Sequence, residues 1–172
     1  HAATDVNLAT TDDGSTPLLV ACHEGHEGVV RLLLAYDKTD VNQTTDDGVT
    51  PLNIACQKGH QEVVRLLLDR DNIDVNQAET DDGATPLTMA CNEGHEEVVR
   101  LLLAHAATDV NQATTDDGTT TLYWACVKGH EGVVRLLLAH DKTDVNLART
   151  DSGVTPLLKS CENGQEGVVR LL

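Results

Sequence analysis

The sequence predicts an all-α repeat solenoid of stacked helix-turn-helix units. The first observation is a repeat, because a glycine recurs as Gly14, Gly48, Gly83, Gly118 and Gly153, and a cysteine follows each of them by eight positions. The glycines are 34 residues apart once and 35 residues apart thereafter. A unit of this length cannot bury an apolar face alone, so the repeat indicates an array in which each unit packs against its neighbours.

The second observation is that each unit carries the pattern of two helices. In the first unit Thr16 followed by Pro17 indicates a helix start, because the hydroxyl can cap a free backbone N–H and proline has no N–H to leave unpaired. Gly25 can take the left-handed conformation that ends this helix. A second helix then begins at His26 and Glu27. Its inner side is predicted to carry Val29, Val30, Leu32, Leu33 and Leu34.

The segment between two helix pairs, such as DVNQTTDDG, is crowded with Asp, Asn and Gly. These residues favour turns between short extended pieces of chain. We therefore expect short β-hairpin loops to join each helix pair to the next.

The repeated unit DGSTPLLVACHEGHEGVVRLLLAYDKTDVN resembles an ankyrin repeat in its TPL, Gly-His, VVxLLL and DVN segments, and the resemblance covers nearly the whole chain. It implies a single ankyrin repeat domain over residues 1–172. The expected divisions are the tail of a preceding unit at 1–10, four units at 11–44, 45–79, 80–114 and 115–149, and a truncated unit at 150–172.

Two departures from the ankyrin pattern stand out. The histidine that usually follows TPL is replaced in the five copies by Leu19, Asn53, Thr88, Tyr123 and Leu158. The glycine that usually follows the second helix is also missing. Candidates for a left-handed conformation in its place are Asp37, Asn72 and Asp141. The resemblance further makes the asparagines of the DVN segments formal candidates for hydroxylation, namely Asn7, Asn42, Asn76, Asn111 and Asn146.

Composition and charge limit the classes of partner. Twelve basic residues against 28 acidic ones give a net charge of −16, which works against binding nucleic acid or an anionic membrane surface. No apolar run approaches the roughly 20 residues that span a bilayer, and the start of the chain does not look like a signal peptide. We expect a soluble, intracellular, cytoplasmic protein whose partner is a protein with a basic face.

The cysteines and histidines recur at the spacing Cys-x-x-x-His, as in Cys22 and His26. On a continuous helix this spacing would resemble half of a zinc site. Gly25 interrupts the helix between them, so we interpret each cysteine as a buried, reduced core residue and each histidine as a turn residue. In the first copy His23 is a third possible ligand, so a metal site stays open as an alternative there. We predict no metal, no cofactor, no catalytic residue and no disulfide, since stacked helices lie too far apart for a bridge.

Helical spacing locates a candidate binding face on the first helix of each unit. Leu18, Ala21 and Cys22 mark the packed side, so Val20, His23 and Glu24 share the other side. The copies differ most at these positions, and the resemblance implies that they line the concave face used for protein recognition. The equivalent residues of the later units are Ile54, Gln57, Lys58, Met89, Asn92, Glu93, Trp124, Val127, Lys128, Lys159, Glu162 and Asn163.

The fourth unit differs from the others in the stretch TTTLYWACVKG, where Thr121 replaces the proline and Tyr123 and Trp124 are aromatic. Tyr123 is predicted to lie beside the concave face and to belong to the binding surface. Trp124 is either a binding hot spot, a role for which tryptophan is favoured, or a residue that fills space between neighbouring first helices.

The TDDG turns predict an acidic edge along the loop tips. Turn chemistry and solubility explain most of this pattern, and attraction of a basic partner or of a loosely held cation is the alternative. The residues of this acidic hairpin edge are Asp12, Asp13, Asp46, Asp47, Asp81, Asp82, Asp116, Asp117 and Asp151.

The sequence therefore predicts a protein–protein interaction module, a scaffold or adaptor without catalysis. The alternative is a structural spacer within a longer ankyrin array. Neither end of the chain reads as a polar cap, so we expect a fragment of a longer array with possible end-to-end self-association. The last helix is predicted to leave four residues poorly covered, namely Val168, Val169, Leu171 and Leu172.

Overall fold

The computed structural model describes residues 4–172, which form ten α-helices arranged as five pairs and contain no strand. This confirms the predicted all-α repeat solenoid. Residues 1–3 of the predicted preceding tail lie outside the described residues. The first helices of the five pairs are α1 Pro17–His23, α3 Pro51–Lys58, α5 Pro86–Glu93, α7 Thr121–Lys128 and α9 Pro156–Glu162. The second helices are α2 Glu27–Leu34, α4 Gln61–Leu68, α6 Glu96–Ala104, α8 Glu131–Ala139 and α10 Glu166–Val169.

Every first helix begins at a threonine cap. In the first unit the Thr16 hydroxyl accepts a hydrogen bond from the backbone N–H of Leu19, and the other four units repeat this bond. The fourth unit keeps the same start without proline, because Thr120 still provides the cap and the Thr121 hydroxyl donates to the carbonyl of Val110 at 2.7 Å. The helix starts predicted from the sequence are confirmed.

The prediction of left-handed residues after the second helices is wrong. Every positive φ in the part of the chain that the structure describes belongs to a glycine, so Asp37, Asn72 and Asp141 have ordinary backbone angles. In three units a threonine explains the difference, because its hydroxyl donates to a carbonyl in the last turn of the helix. Thr39 bonds Leu33 in this way, and Thr108 and Thr143 repeat the bond at 2.6 Å. In the unit of Asn72, Ile73 stands in place of the threonine, and its N–H donates to the carbonyl of Arg70 at 3.1 Å. The helix end is thus satisfied without the left-handed turn that glycine favours.

The core runs along the whole array between the two helix layers. It contains Leu18 and Cys22 of the first unit and their equivalents, together with the valines and leucines of the second helices. Three expectations about burial need correction, and they concern Cys161, the second helix of the first unit and the last helix. Cys161 is exposed, since no further unit in the described chain covers α9. Val29 and Leu32, predicted on the inner side, are 46% and 68% exposed.

The third correction concerns the last helix. Val168 is buried, Val169 is half-buried, and Leu171 and Leu172 are half-buried and pack against the core. The exposed apolar side chains of this unit are instead Leu157 and Leu158 on α9.

Two repeated sets of hydrogen bonds connect the first four units to one another. The side-chain amide of Asn42 donates to the carbonyl of Asn72 at 2.7 Å and accepts from the N–H of Asp74 at 2.9 Å, and Asn7, Asn76 and Asn111 make equivalent pairs. On the other side of the helices the His60 ring donates to the carbonyl of His23 at 3.0 Å. His95 and His130 repeat this bond to the units before them.

The loops are hairpin-shaped turns, closed by backbone bonds such as the one from the Thr45 N–H to the Val49 carbonyl at 3.0 Å. Each turn is also hydrogen-bonded to the turn of the neighbouring unit. For example, the N–H of Asp46 donates to the carbonyl of Asp13 at 3.1 Å. Neighbouring first helices contact one another more extensively than neighbouring second helices do. The first helices therefore form the more closely packed of the two helix layers.

Candidate functional site

The first-helix face consists of the three residues per unit that were predicted to line the concave side, from Val20 in the first unit to Asn163 in the fifth. All fifteen retain solvent contact. The exposed members are Val20, His23, Glu24, Lys58, Glu93, Lys128, Glu162 and Asn163. The half-buried members are Ile54, Gln57, Met89, Asn92, Trp124, Val127 and Lys159. The structure thus leaves all of these residues of the first helices accessible to solvent.

An apolar row crosses the middle of this face. Ile54, Met89 and Trp124 occupy equivalent positions on α3, α5 and α7, and all three are half-buried. Ile54 and Met89 pack against the core while keeping part of their surface in solvent. Val20 extends the row into the first unit and is 50% exposed. An apolar row with this accessibility can bury further surface against a partner.

Tyr123 does not belong to the accessible face, which corrects the sequence prediction. Its side chain is only 5% exposed, and the guanidinium of Arg149 lies 5.7 Å from the centre of its ring. The same guanidinium makes ion pairs of 2.7 Å with Asp117 and with Asp151. Tyr123 therefore helps to join the fourth unit to the fifth. The signal in the sequence was that Arg149 also departs from the repeat, at a position where three units have threonine.

The charged residues of the face differ in whether they have partners. Glu24 bonds the ring of His23 at 2.8 Å, and Glu93 accepts from the amide of Asn92 at 2.8 Å. In the fifth unit Lys159 and Glu162 form an ion pair of 3.0 Å. The two remaining lysines, Lys58 and Lys128, are exposed and have no ion pair with any residue between 4 and 172.

The acidic hairpin edge is partly structural. Asp13 accepts hydrogen bonds from Thr10 and Ser15, which lower the pKa of its carboxyl to about 2. At Asp117 partial burial acts to raise the pKa of the carboxyl. Hydrogen bonds from Thr119 and Thr114 and the positive charge of Arg149 outweigh it, so the pKa is lowered. Asp12, Asp46, Asp47, Asp81 and Asp116 are exposed at the tips of the turns. The edge therefore combines carboxylates that hold the turns with carboxylates that face solvent.

Glu79 is a residue that the sequence reasoning missed. It stands where other units have Thr10, Thr45, Thr114 and Arg149, and it is half-buried. Burial is the main reason that its pKa rises to about 7, and repulsion by Asp82, Asp81 and Asp47 adds to the effect. The signal in the sequence was its departure from the threonine that three other units have at this position.

The cysteines and histidines are used in the fold. Burial raises the pKa of the Cys22 thiol to about 12 and that of Cys126 to about 11, so neither forms a thiolate readily. Within residues 4–172 no group of three or more His, Cys, Asp or Glu is placed to hold a metal ion. A cleft of about 940 Å³ lies away from the first-helix face, beside Tyr36 and the tail residues Val6 and Asn7.

None of the helices in the described range has the length and apolar character needed to cross a membrane.

Comparison with protein families gives a match to the model for ankyrin repeats. It matches three times, over residues 2–79, 72–149 and 108–172, and the matches together extend over nearly the whole chain. A comparison with curated protein sequences finds no match. Ankyrin repeats are generally protein–protein interaction modules and are typically non-catalytic. On the evidence of the family matches and of the five stacked helix pairs, the chain belongs to the ankyrin repeat family.

Proposed function

We propose that the protein is a scaffold or adaptor module that binds a protein partner through the first-helix face and the hairpin tips, without catalysis of its own. The observation that carries the proposal is the apolar row of Ile54, Met89 and Trp124. These side chains keep solvent contact at equivalent places on three neighbouring helices. Protein interfaces are built around such apolar and aromatic anchors, with tryptophan among the most frequent hot spots.

The hairpin edge is the second part of the proposed surface. Its exposed carboxylates lie at the loop tips of a chain with a net charge of −16. Such a surface attracts basic groups and raises association rates, an effect that salt screens beyond about 8 Å at physiological ionic strength. We therefore infer that the partner carries basic residues where it faces the hairpin tips.

A structural spacer remains the second candidate function. The observation in its favour is the repeated stacking of the units through Asn42, His60 and their equivalents, because identical bonds at successive junctions suit a rod of fixed geometry. End-to-end self-association would extend such a rod, and Leu32 and Leu157 are exposed apolar residues near its two ends. Sedimentation velocity over a range of concentrations tests this association.

The replacement Trp124→Ala tests the binding proposal. The parent protein, Trp124→Ala and the control Leu32→Ala are immobilised and compared for the proteins they retain from cell extract. Leu32 is a suitable control because it is a highly exposed apolar residue on a second helix. We expect Trp124→Ala to lose a partner that both other proteins retain, with affinity reduced by at least about thirtyfold, since hot-spot truncation costs about 2 kcal/mol or more.

Circular dichroism and thermal melting of each variant show whether the loss reflects binding or folding. Should Trp124→Ala melt far below the parent, the same comparison is made with Met89→Lys, which changes the neighbouring member of the row. Retention of the same proteins by all folded variants would contradict the proposed surface. If the parent retains no protein specifically, the spacer function is favoured.

A further inference from the structure

We propose that the segment bound by the first-helix face is an acidic amphipathic helix. This inference deepens the proposed function and rests on it. It concerns the central units, where the apolar row of Ile54, Met89 and Trp124 lies beside Lys58 and Lys128. The occupant is identified by charge and by the spacing of its apolar residues.

In the second, third and fourth units the face carries two lysines and one carboxylate, Glu93, so its formal charge there is positive although the chain as a whole is strongly acidic. Glu93 accepts a hydrogen bond from the neutral amide of Asn92, which occupies a lone pair and leaves its charge in place. In the fifth unit the ion pair with Lys159 neutralises Glu162. The central part of the face therefore presents two lysines without ion pairs, with a single carboxylate between them.

Lys58 and Lys128 flank the apolar row from the second and fourth units. Most of the other basic side chains with no ion pair in the described range are elsewhere, such as Lys38 and Lys142 in the loops that follow second helices. Of the lysines on the face, only Lys159 has an ion pair. Two unpaired lysines beside an apolar row are complementary to a segment in which apolar residues are accompanied by Asp or Glu.

The spacing of the row favours a helix over an extended strand. Neighbouring packed helices lie about 8–10 Å apart, so the row offers one apolar side chain at each such interval. Seven residues of an α-helix rise about 10.5 Å and return to nearly the same side of the helix. An extended strand returns to the same side about every 6.6 Å, which does not fit this interval. A helix with an apolar residue at every seventh position can contact Ile54, Met89 and Trp124 in succession.

The length of the ligand follows from the same geometry. The row crosses two intervals from α3 to α7, or about 16–20 Å, which corresponds to about 11–13 helical residues. With one further turn at each end, a segment of about 20 residues is sufficient. Its carboxylates would lie within a turn of the first and last anchors, where they can reach Lys58 and Lys128.

The test is a selection from a library of randomised 20-residue peptides displayed on phage. Peptides are enriched on the parent protein, and those that still bind Trp124→Ala are removed. The enriched peptides are then synthesised, and their Kd values and their helicity on binding are measured. We expect an apolar residue at intervals of seven, accompanying Asp or Glu residues, and helix formation in the complex.

Charge reversal tests the role of the two lysines. The double variant Lys58→Glu with Lys128→Glu should weaken the selected peptides roughly tenfold at physiological salt. The matched control, Lys38→Glu with Lys142→Glu, makes the same change in net charge at exposed lysines outside the face. It should change the Kd by less than about twofold, since exposed charges far from the ligand are screened.

Different failures separate the two proposals. Peptides that require Trp124 but are basic or uncharged, or that stay extended when bound, would overturn the acidic helix while leaving the binding face in place. Equal weakening by both double variants would overturn it as well, because the effect would then come from net charge alone. If no enriched peptide depends on Trp124, both the acidic helix and the proposed binding face are wrong.

Discussion

Replacing Glu79 with glutamine should stabilise the protein at pH 8 and leave its stability at pH 5 nearly unchanged. The carboxyl is half-buried at the end of the second unit, and burial together with the nearby Asp82, Asp81 and Asp47 raises its pKa from 4.5 to about 7. At pH 8 the carboxyl is ionised in an environment that disfavours its charge. Glutamine has the same shape and no charge, so it removes this unfavourable interaction.

The sign of the effect follows from proton binding. A pKa that is higher in the folded chain means that folding takes up a proton between pH 4.5 and about pH 7. Stability contributed by this proton is present below pH 4.5 and is lost as the pH rises through 7. Each tenfold difference in proton affinity is worth about 1.4 kcal/mol, which sets a ceiling of about 3.4 kcal/mol. Solvent screens a half-exposed group, so we expect about 1–2 kcal/mol at pH 8.

Urea unfolding of the parent and of Glu79→Gln at pH 5 and pH 8, in the presence of a reducing agent, measures this difference. The matched control is Asp12→Asn, which removes a carboxylate that is exposed at the equivalent type of turn. The control should change the free energy of unfolding by less than about 0.5 kcal/mol at both pH values. A stabilisation by Glu79→Gln that is equal at pH 5 and pH 8, or a destabilisation at pH 8, would refute the reasoning.

Two further predictions concern the cysteines and the stacking of the units. A thiol reagent added to the native protein should modify Cys161 rapidly and the other four cysteines slowly, because those four are buried and Cys161 is exposed. Intact-mass spectrometry over time should show one early adduct, and early appearance of several adducts would contradict the assigned core. The replacement Asn76→Ala should destabilise the protein by about 1–3 kcal/mol, because it leaves the Ala107 carbonyl and the Asp109 N–H without their side-chain partner. Asn146→Ala is the control, since the side chain of Asn146 makes no bond to another unit in the described range, and equal unfolding free energies for the two variants would refute this role of the asparagine.

The repeat and the helix starts could be predicted because local sequence determines them. A threonine before a proline caps a helix in any unit, and Thr120 does so even after Pro is lost. The side of the first helix that faces solvent was equally predictable, since Val20 and its equivalents follow from helical periodicity.

Contacts between units were harder to predict. The guanidinium of Arg149, at the end of the fourth unit, lies beside the buried ring of Tyr123 and pairs with Asp151 of the fifth unit. After three of the second helices a threonine such as Thr39 bonds back to a helix carbonyl, and after α4 the N–H of Ile73 bonds the carbonyl of Arg70, so no left-handed residue is needed. The pKa of Glu79, at the end of the second unit, is raised in part by Asp82 and Asp81 of the third unit. Sequence periodicity places a residue on a helix, but it does not give the depth at which a neighbouring unit encloses it.

The bonds made by Asn42, His60 and their equivalents have a consequence for how such a chain can be lengthened or shortened. Each bond connects a unit only to the one beside it, and the donors and acceptors are the same at successive internal junctions. Excision of one whole central unit would therefore rejoin matching partners, whereas excision of part of a unit would leave them mismatched. The first-helix face would lose the three residues contributed by that unit and keep those of the other units. The length of the binding face is thus set by the number of units, independently of the hydrogen bonds that join them.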